Sequence, residues 1–261
     1  MILVFILFLV VFWKGKEWMA RMKKEFEING IPAFLWGLPS RKLYFYVHGQ
    51  GGCKEEAAVF ADVACCFGWQ VLSVDLPKHG ERVNGAVEFE PWSIVPELSG
   101  IMDFVKDRWK QISLYASSIG AWFSMLSFGN APLKNCLFVS PVLDMKELMS
   151  KMMEWAGVSQ NQLEKQRLIP TDFGQTLSWE YWKYVLEHPI RQWDFPTKIL
   201  YGENDNLIDR CLVEQFTKKF SCNLTVAENC EHWFHTEYQL NVMREWIRKE
   251  IDCKNVILKE R

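Results

Sequence analysis

Apolar residues along this chain gather into short runs cut off by turn-forming residues, and these runs alternate with longer stretches of helical period. Lys42 to His48 (KLYFYVH) is apolar almost throughout, as a strand in the middle of a parallel sheet must be. Gln70 to Leu76 (QVLSVDL), Gln111 to Tyr115 (QISLY), Cys136 to Ser140 (CLFVS), Lys198 to Tyr201 (KILY) and Leu224 to Ala227 (LTVA) read as further strands. Between them, Lys54 to Phe67, Pro91 to Trp109, Ala121 to Phe128, Val213 to Phe220 and Gln239 to Ile251 read as helices. Pro96 is expected as an early break or a first-turn residue of the second helix. Ahead of the first strand, Glu25 to Trp36 holds two β-prone runs around Asn29-Gly30, a strong hairpin signal. Strands alternating with helices predict an α/β fold with a doubly wound, mostly parallel sheet.

The alternation breaks once. Met145 to Trp155 and Ser178 to Glu187 read as two helices joined by a polar stretch holding Pro170, Thr171 and Gly174. The interruption predicts a small helical cap, inserted at about residues 145–191 over the C-terminal edge of the sheet. Its Met149, Met152, Met153, Trp155, Trp179 and Trp182 suit an apolar, adaptable pocket, although plain packing explains such spacing more readily. No repeat, low-complexity tract or linker divides the rest, so residues 24–261 are expected to form one domain.

Residues 1–23 stand apart as an apolar and basic leader. Met1 to Trp13 is unbroken apolar sequence followed by Lys14-Gly15-Lys16. As a helix it would span about 20 Å, short of the ~30 Å hydrocarbon core. A short uncleaved anchor, a helix packed on the domain and an over-long start, with Met19 or Met22 as the natural one, are the three readings. The last is preferred.

Composition narrows the setting. At 261 residues, 49% hydrophobic and 24% charged, the chain can bury an ample core. A net charge of −2 without a Lys/Arg block argues against a nucleic-acid partner. Eight cysteines with no C-x-x-C pair suit reduced thiols in the cytoplasm. Membrane association is the alternative location, should residues 1–13 be retained.

Candidate chemistry lies at four strand ends, where ligands bind in open α/β sheets. Ala116-Ser117-Ser118-Ile119-Gly120 joins a strand to an apolar helix, and small residues two before and two after Ser118 suit a sharp nucleophile elbow. A capped helix start is the plainer reading. His48-Gly49-Gln50-Gly51-Gly52 follows another strand, where the backbone N–H of Gln50, with that of Ile119, could face an oxyanion. No G-K-[ST] follows, so a nucleotide loop is disfavoured. Asp205, just past KILY, could orient a histidine; Glu203, Asp209 and Asp144 are rivals. His232, after the last strand, could serve as general base, with His235 as its rival. H-x-x-H without a third ligand is poor metal spacing.

The segments VHGQGG (Val47 to Gly52), DLPKHGER (Asp75 to Arg82), ASSIG, LYGENDN (Leu200 to Asn206) and NCEHWFH (Asn229 to His235) resemble those of the α/β-hydrolase superfamily, over roughly Glu25 to Ile251. The order Ser118, Asp205, His232 is also that superfamily's order. Among its members, bacterial single-domain hydrolases are the most similar. The resemblance implies Ser118 as nucleophile, Asp205 as acid, His232 as base, and a cap shaping an acyl pocket. It implies a serine hydrolase that cleaves a small-molecule ester or thioester through an acyl-enzyme, with no nucleotide or metal cofactor. His79-Gly80 would be a structural turn. Ala116 at the first elbow glycine and the apolar leader depart from the pattern. An aminopeptidase or amidase, holding its substrate amine with Glu154 or Glu187, remains open. So does a relative that binds a ligand without turnover.

Overall fold

The paired turn residues Asn29 and Gly30 both take positive φ, 55° and 77°, which matches the twist of a two-residue hairpin. They join β1 (Lys23–Ile28) to β2 (Ile31–Trp36) in a computed structural model that describes residues 22–251. Strand β3 (Lys42–Val47) and helix α1 (Ala57–Ala64) follow, then β4 (Gln70–Val74), α2 (Pro91–Lys106), β5 (Gln111–Ser117), α3 (Ile119–Ser127) and β6 (Leu133–Val139). The inserted segment holds α4 (Met145–Trp155), α5 (Gln160–Gln166), β7 (Leu168–Pro170), β8 (Thr176–Ser178) and α6 (Trp179–Glu187). The chain returns to the sheet with β9 (Thr197–Gly202), α7 (Arg210–Phe220), β10 (Asn223–Ala227) and α8 (Glu237–Ile251).

Eight strands form one sheet in the order β1-β2-β4-β3-β5-β6-β9-β10. β2 pairs antiparallel with β1 and with β4; every other pairing is parallel. Alternate residues of β3 explain why both faces must be covered. Leu43, Phe45 and Val47 join one core cluster with Ile94, Leu98 and Ile101 of α2, whereas Tyr44 and Tyr46 pack against Phe60 of α1 on the other face, which α8 covers farther along with Trp246 at β10. Register then decides function. Val47 lies opposite Ala116, Ser117 opposite Val139, and Val139 opposite Leu200, so the loops after β3, β5, β6 and β9 leave the sheet along one edge.

Several elements differ from the sequence reading. The helix expected over 54–67 is α1 flanked by two short 3-10 turns, closed by Gly68 at φ 73°. Pro96 lies inside α2, and it is Pro91 that takes the first turn. Pro96 removes one N–H donor near the helix start, a loss α2 tolerates through its buried face of Ile94, Leu98 and Ile101. The polar stretch between the cap helices is not featureless: Ser159 and Gln162 form a capping box that starts α5, and β7 and β8 pair antiparallel. The leader falls outside the described residues up to residue 21, while Lys23, counted within it, already opens β1. Among the described residues no helix is long and apolar enough to cross a membrane.

Candidate active site

β5 ends at Ser117 and α3 begins at Ile119, which leaves a single residue to reverse the chain. Ser118 does so at φ 49° and ψ −126°, a region that L-residues rarely enter. Three backbone hydrogen bonds hold it there. Its N–H donates to Val139 O at 3.0 Å, and its carbonyl accepts from Val142 N–H at 3.0 Å and Ala121 N–H at 3.1 Å. Gly120 is needed because a Cβ there would stand 2.4 Å from His48 O. Ala116, fully buried, shows that the departure at the first elbow glycine leaves room for a methyl group. Ser117 remains in the strand with its hydroxyl hydrogen-bonded to Tyr46.

The Ser118 hydroxyl meets His232 Nε2 at 2.9 Å. On the far side of the ring, His232 Nδ1 lies 2.7 Å from Asp205 Oδ2. A carboxylate only accepts, so Nδ1 carries the proton and Nε2 presents a lone pair to the serine. Asp205 is fully buried as a side chain, and its other oxygen accepts the N–H groups of Leu207 and Ile208, both at 2.9 Å. Those two bonds leave Oδ2 for the histidine.

Three ties hold the acid loop to the histidine loop. Glu203 N–H donates to Ala227 O at 2.9 Å, Asn204 N–H to Cys230 O at 2.8 Å, and Asn229 N–H to the Glu203 carboxylate at 3.1 Å. Gly202 lets the loops approach, since a Cβ there would lie 2.4 Å from Glu231 O. The rivals are otherwise engaged. Asp144 caps α4, Asp209 pairs with Lys151 at 2.7 Å, and His235 Nδ1 faces Trp233 O at 2.8 Å.

Gln50 and Ile119 both border the space in front of Ser118. Ile119 opens α3, so its N–H has no acceptor in its own helix. The loop carrying Gln50 is braced by two histidines: His79, expected only as part of a structural turn, and His48, to which the sequence reading gave no such role. His79 Nε2 accepts Gly51 N–H at 2.9 Å, while its Nδ1 donates to Pro77 O at 2.8 Å. His48 Nε2 accepts Leu76 N–H at 3.1 Å, and its Nδ1 donates to Gly49 O at 2.7 Å. Burial holds the His48 imidazole down to about 4, against the partial support of the Gly49 carbonyl. Their place in the HGQGG and PKHG segments was a usable signal, because each follows a strand of the same edge.

Two cavities meet at Ser118. One, about 540 Å³, runs under the inserted segment and is walled by Met149, Met152, Trp155, Phe173, Leu177 and Tyr181. Of the six cap residues singled out from sequence, Met149, Met152 and Trp155 border this space, whereas Met153, Trp179 and Trp182 are buried in the core. Glu90 is its one carboxylate, and desolvation pushes that group up from the usual range. Glu154 and Glu187 are exposed and border neither cavity that meets Ser118. The second cavity, about 600 Å³, lies on the His232 side. Among the described residues no group of three or more His, Cys, Asp or Glu side chains stands ready to hold a metal ion.

No protein-family model and no curated protein matches the chain. Solved structures do. Est1E from Butyrivibrio proteoclasticus, with ferulic acid bound, is 17% identical with a TM-score of 0.71, over 87% of this chain and 97% of that one. Alpha/beta hydrolase domain-containing protein 10 from mouse is 12% identical with a TM-score of 0.72, over 88% and 98%. A thioesterase domain from the curacin biosynthetic pathway is 16% identical with a TM-score of 0.56, over 87% and 98%. At these identities the likeness is one of fold: the chain has the α/β-hydrolase fold.

Proposed function

We propose that this chain is a serine hydrolase that cleaves a small carboxylic ester or thioester through an acyl-enzyme intermediate. The observation that carries the reading is the unbroken line from Asp205 through His232 to Ser118, at 2.7 and 2.9 Å, on a strained elbow open to two cavities. The names of similarly folded proteins, among them esterases and a thioesterase domain, agree with it.

Ser118 Oγ attacks the acyl carbonyl carbon while its proton passes to His232 Nε2. The negative oxygen that forms faces the N–H groups of Gln50 and Ile119, which are fixed before reaction and need no reorganisation. Asp205 stabilises the imidazolium through Nδ1–H. His232 then gives the proton to the departing oxygen or sulfur, and the alcohol or thiol leaves. Water, giving its own proton to His232, attacks the acyl-enzyme, and the acid is released as Ser118 recovers its hydrogen. The methionine-rich space under the cap is the acyl site, since its unbranched thioethers adapt to chains of different shape. The small-molecule acyl substrate is the expected partner, and the seven described cysteines, all free, suit a cytoplasmic setting. The two amine holders expected for the amidase reading, Glu154 and Glu187, lie outside both cavities.

A fluorophosphonate probe should label the protein, and Ser118→Ala should abolish labelling together with turnover of p-nitrophenyl esters of graded chain length. Labelling that survives Ser118→Ala would overturn the assignment. Ligand binding without turnover on any ester or thioester would favour a non-catalytic relative.

A further inference from the structure

The second cavity contains groups that the reaction above does not use. It shares Ser118 and Gln50 with the acyl space but adds His232 to its wall. That difference assigns the two spaces. In the first half-reaction the imidazolium must hand its Nε2 proton to the departing heteroatom, so the leaving group lies on the side of the histidine. The space bordered by His232 therefore receives the alcohol, and the space without it keeps the acyl chain.

The wall of this second space has a definite chemistry. Tyr46, Phe60, Tyr115 and Phe234 supply aromatic surface, with Tyr46 and Tyr115 stacked at 4.9 Å and Phe60 tilted against Tyr115 at 4.4 Å between centroids. Glu56 is the one carboxylate among the described residues that border the cavity. Desolvation pushes the Glu56 carboxyl up, and no cation among the described residues holds it down. Lys54, two residues before it, is engaged instead by Asp75, Glu81 and Glu55. Ser140 is 2% exposed, and its Oγ is a buried polar atom with no hydrogen-bond partner. It too borders the cavity. An unpartnered buried hydroxyl costs stability unless something else satisfies it.

From this wall we infer that the His232-side cavity is a leaving-group subsite for an alcohol bearing an ammonium group. The inference rests on the serine hydrolase reading and names the substrate class of that site. A cation supplies what Glu56 lacks, it is attracted by aromatic rings, and an N–H on it can donate to Ser140 Oγ. A neutral alkyl alcohol of the same shape offers none of these.

The test uses the full chain and two butyrate esters of nearly identical shape, dimethylaminoethyl butyrate, cationic at neutral pH, and neutral isopentyl butyrate. The cationic ester is expected to be preferred by about tenfold in kcat/KM, and Glu56→Gln to bring the ratio to about one. High salt should weaken the preference as well. Should Glu56→Gln fail to fold, Ser140→Ala reads the same ratio, with an expected fall of about threefold. A ratio near one in the natural chain, or one that both variants leave intact, overturns the inference while the hydrolase reading stands. Turnover of neither ester also overturns it, and fluorophosphonate labelling of Ser118 then separates the two readings: if labelling is absent as well, the hydrolase reading falls too.

Discussion

Ser118 is held at φ 49°, a backbone state that costs about 1–3 kcal/mol and persists only where its surroundings enforce it. The enforcing contacts are specific, so single atoms should break them. In Gly120→Ala the added Cβ would meet His48 O at 2.4 Å and Val47 O at 2.8 Å, both backbone atoms that cannot swing aside. The elbow and the Gln50 loop must then separate. A loss of about 2 kcal/mol in stability by urea titration is expected, with a fall of about a hundredfold in ester kcat/KM. Asp205→Asn tests a different link. The Asn carbonyl can keep the N–H bonds from Leu207 and Ile208, so the fold and its melting temperature should hold. Its amide, however, is a donor facing Nδ1, which favours the wrong tautomer of His232. A drop in kcat of about ten-thousand-fold is expected at unchanged melting temperature. A much smaller drop would mean that Asp205 does not orient the imidazole.

Between elements, a buried ion pair links the turn that precedes α1 to the end of β4. Asp75 accepts Lys54 N–H at 2.8 Å and Lys54 Nζ at 2.9 Å, and neither side chain is exposed. The same carboxylate takes Glu81 N–H at 3.1 Å, so it also fixes the turn that carries His79. Asp75→Ala leaves the Lys54 ammonium to Glu55 and Glu81 and strips two backbone N–H groups of their acceptor, and should cost about 1–3 kcal/mol, read as a lower urea midpoint. None of this was legible in the letters. Asp75 and Lys54 stand 21 positions apart, and nothing local tells a buried lysine from a solvated one. The strands were legible because burial on both faces leaves runs such as KLYFYV with no polar interruption. Candidate site residues were legible for a related reason: glycine, serine, aspartate and histidine stand where such runs stop. The cap was legible only as an interruption. Its α5 has seven residues and β7 and β8 three each, too short to establish a period, and the capping box at Ser159 was the one usable local sign.

At the scale of the whole molecule, the sheet places His48 in its centre, fully buried between β3 and the turn after β4. Both ring nitrogens are committed, Nδ1–H to Gly49 O and Nε2 to Leu76 N–H, so a second proton has no acceptor and breaks the bond from Leu76. Burial accordingly holds the folded-state value at about 4, against an ordinary value of 6.5 in the unfolded chain. The sign follows from where protons bind. Between these values the unfolded chain takes up a proton that the folded one refuses, so stability is full above 6.5 and is lost as pH falls towards 4. The loss amounts to about 3 kcal/mol when complete. Glu56 and Glu90, both raised by burial, act in the opposite sense, because their folded forms bind protons more readily and gain stability as pH falls. The net slope therefore mixes signs, and a variant must isolate the imidazole. His48→Gln keeps an acceptor for Leu76 N–H but cannot titrate. Urea midpoints at about pH 7 and about pH 4.5 should fall further for the natural chain than for His48→Gln, by about 2–3 kcal/mol in unfolding free energy. Equal falls in the two proteins would show that acid reaches this fold through another group, and that the loop bearing Gln50 is not held by a neutral histidine.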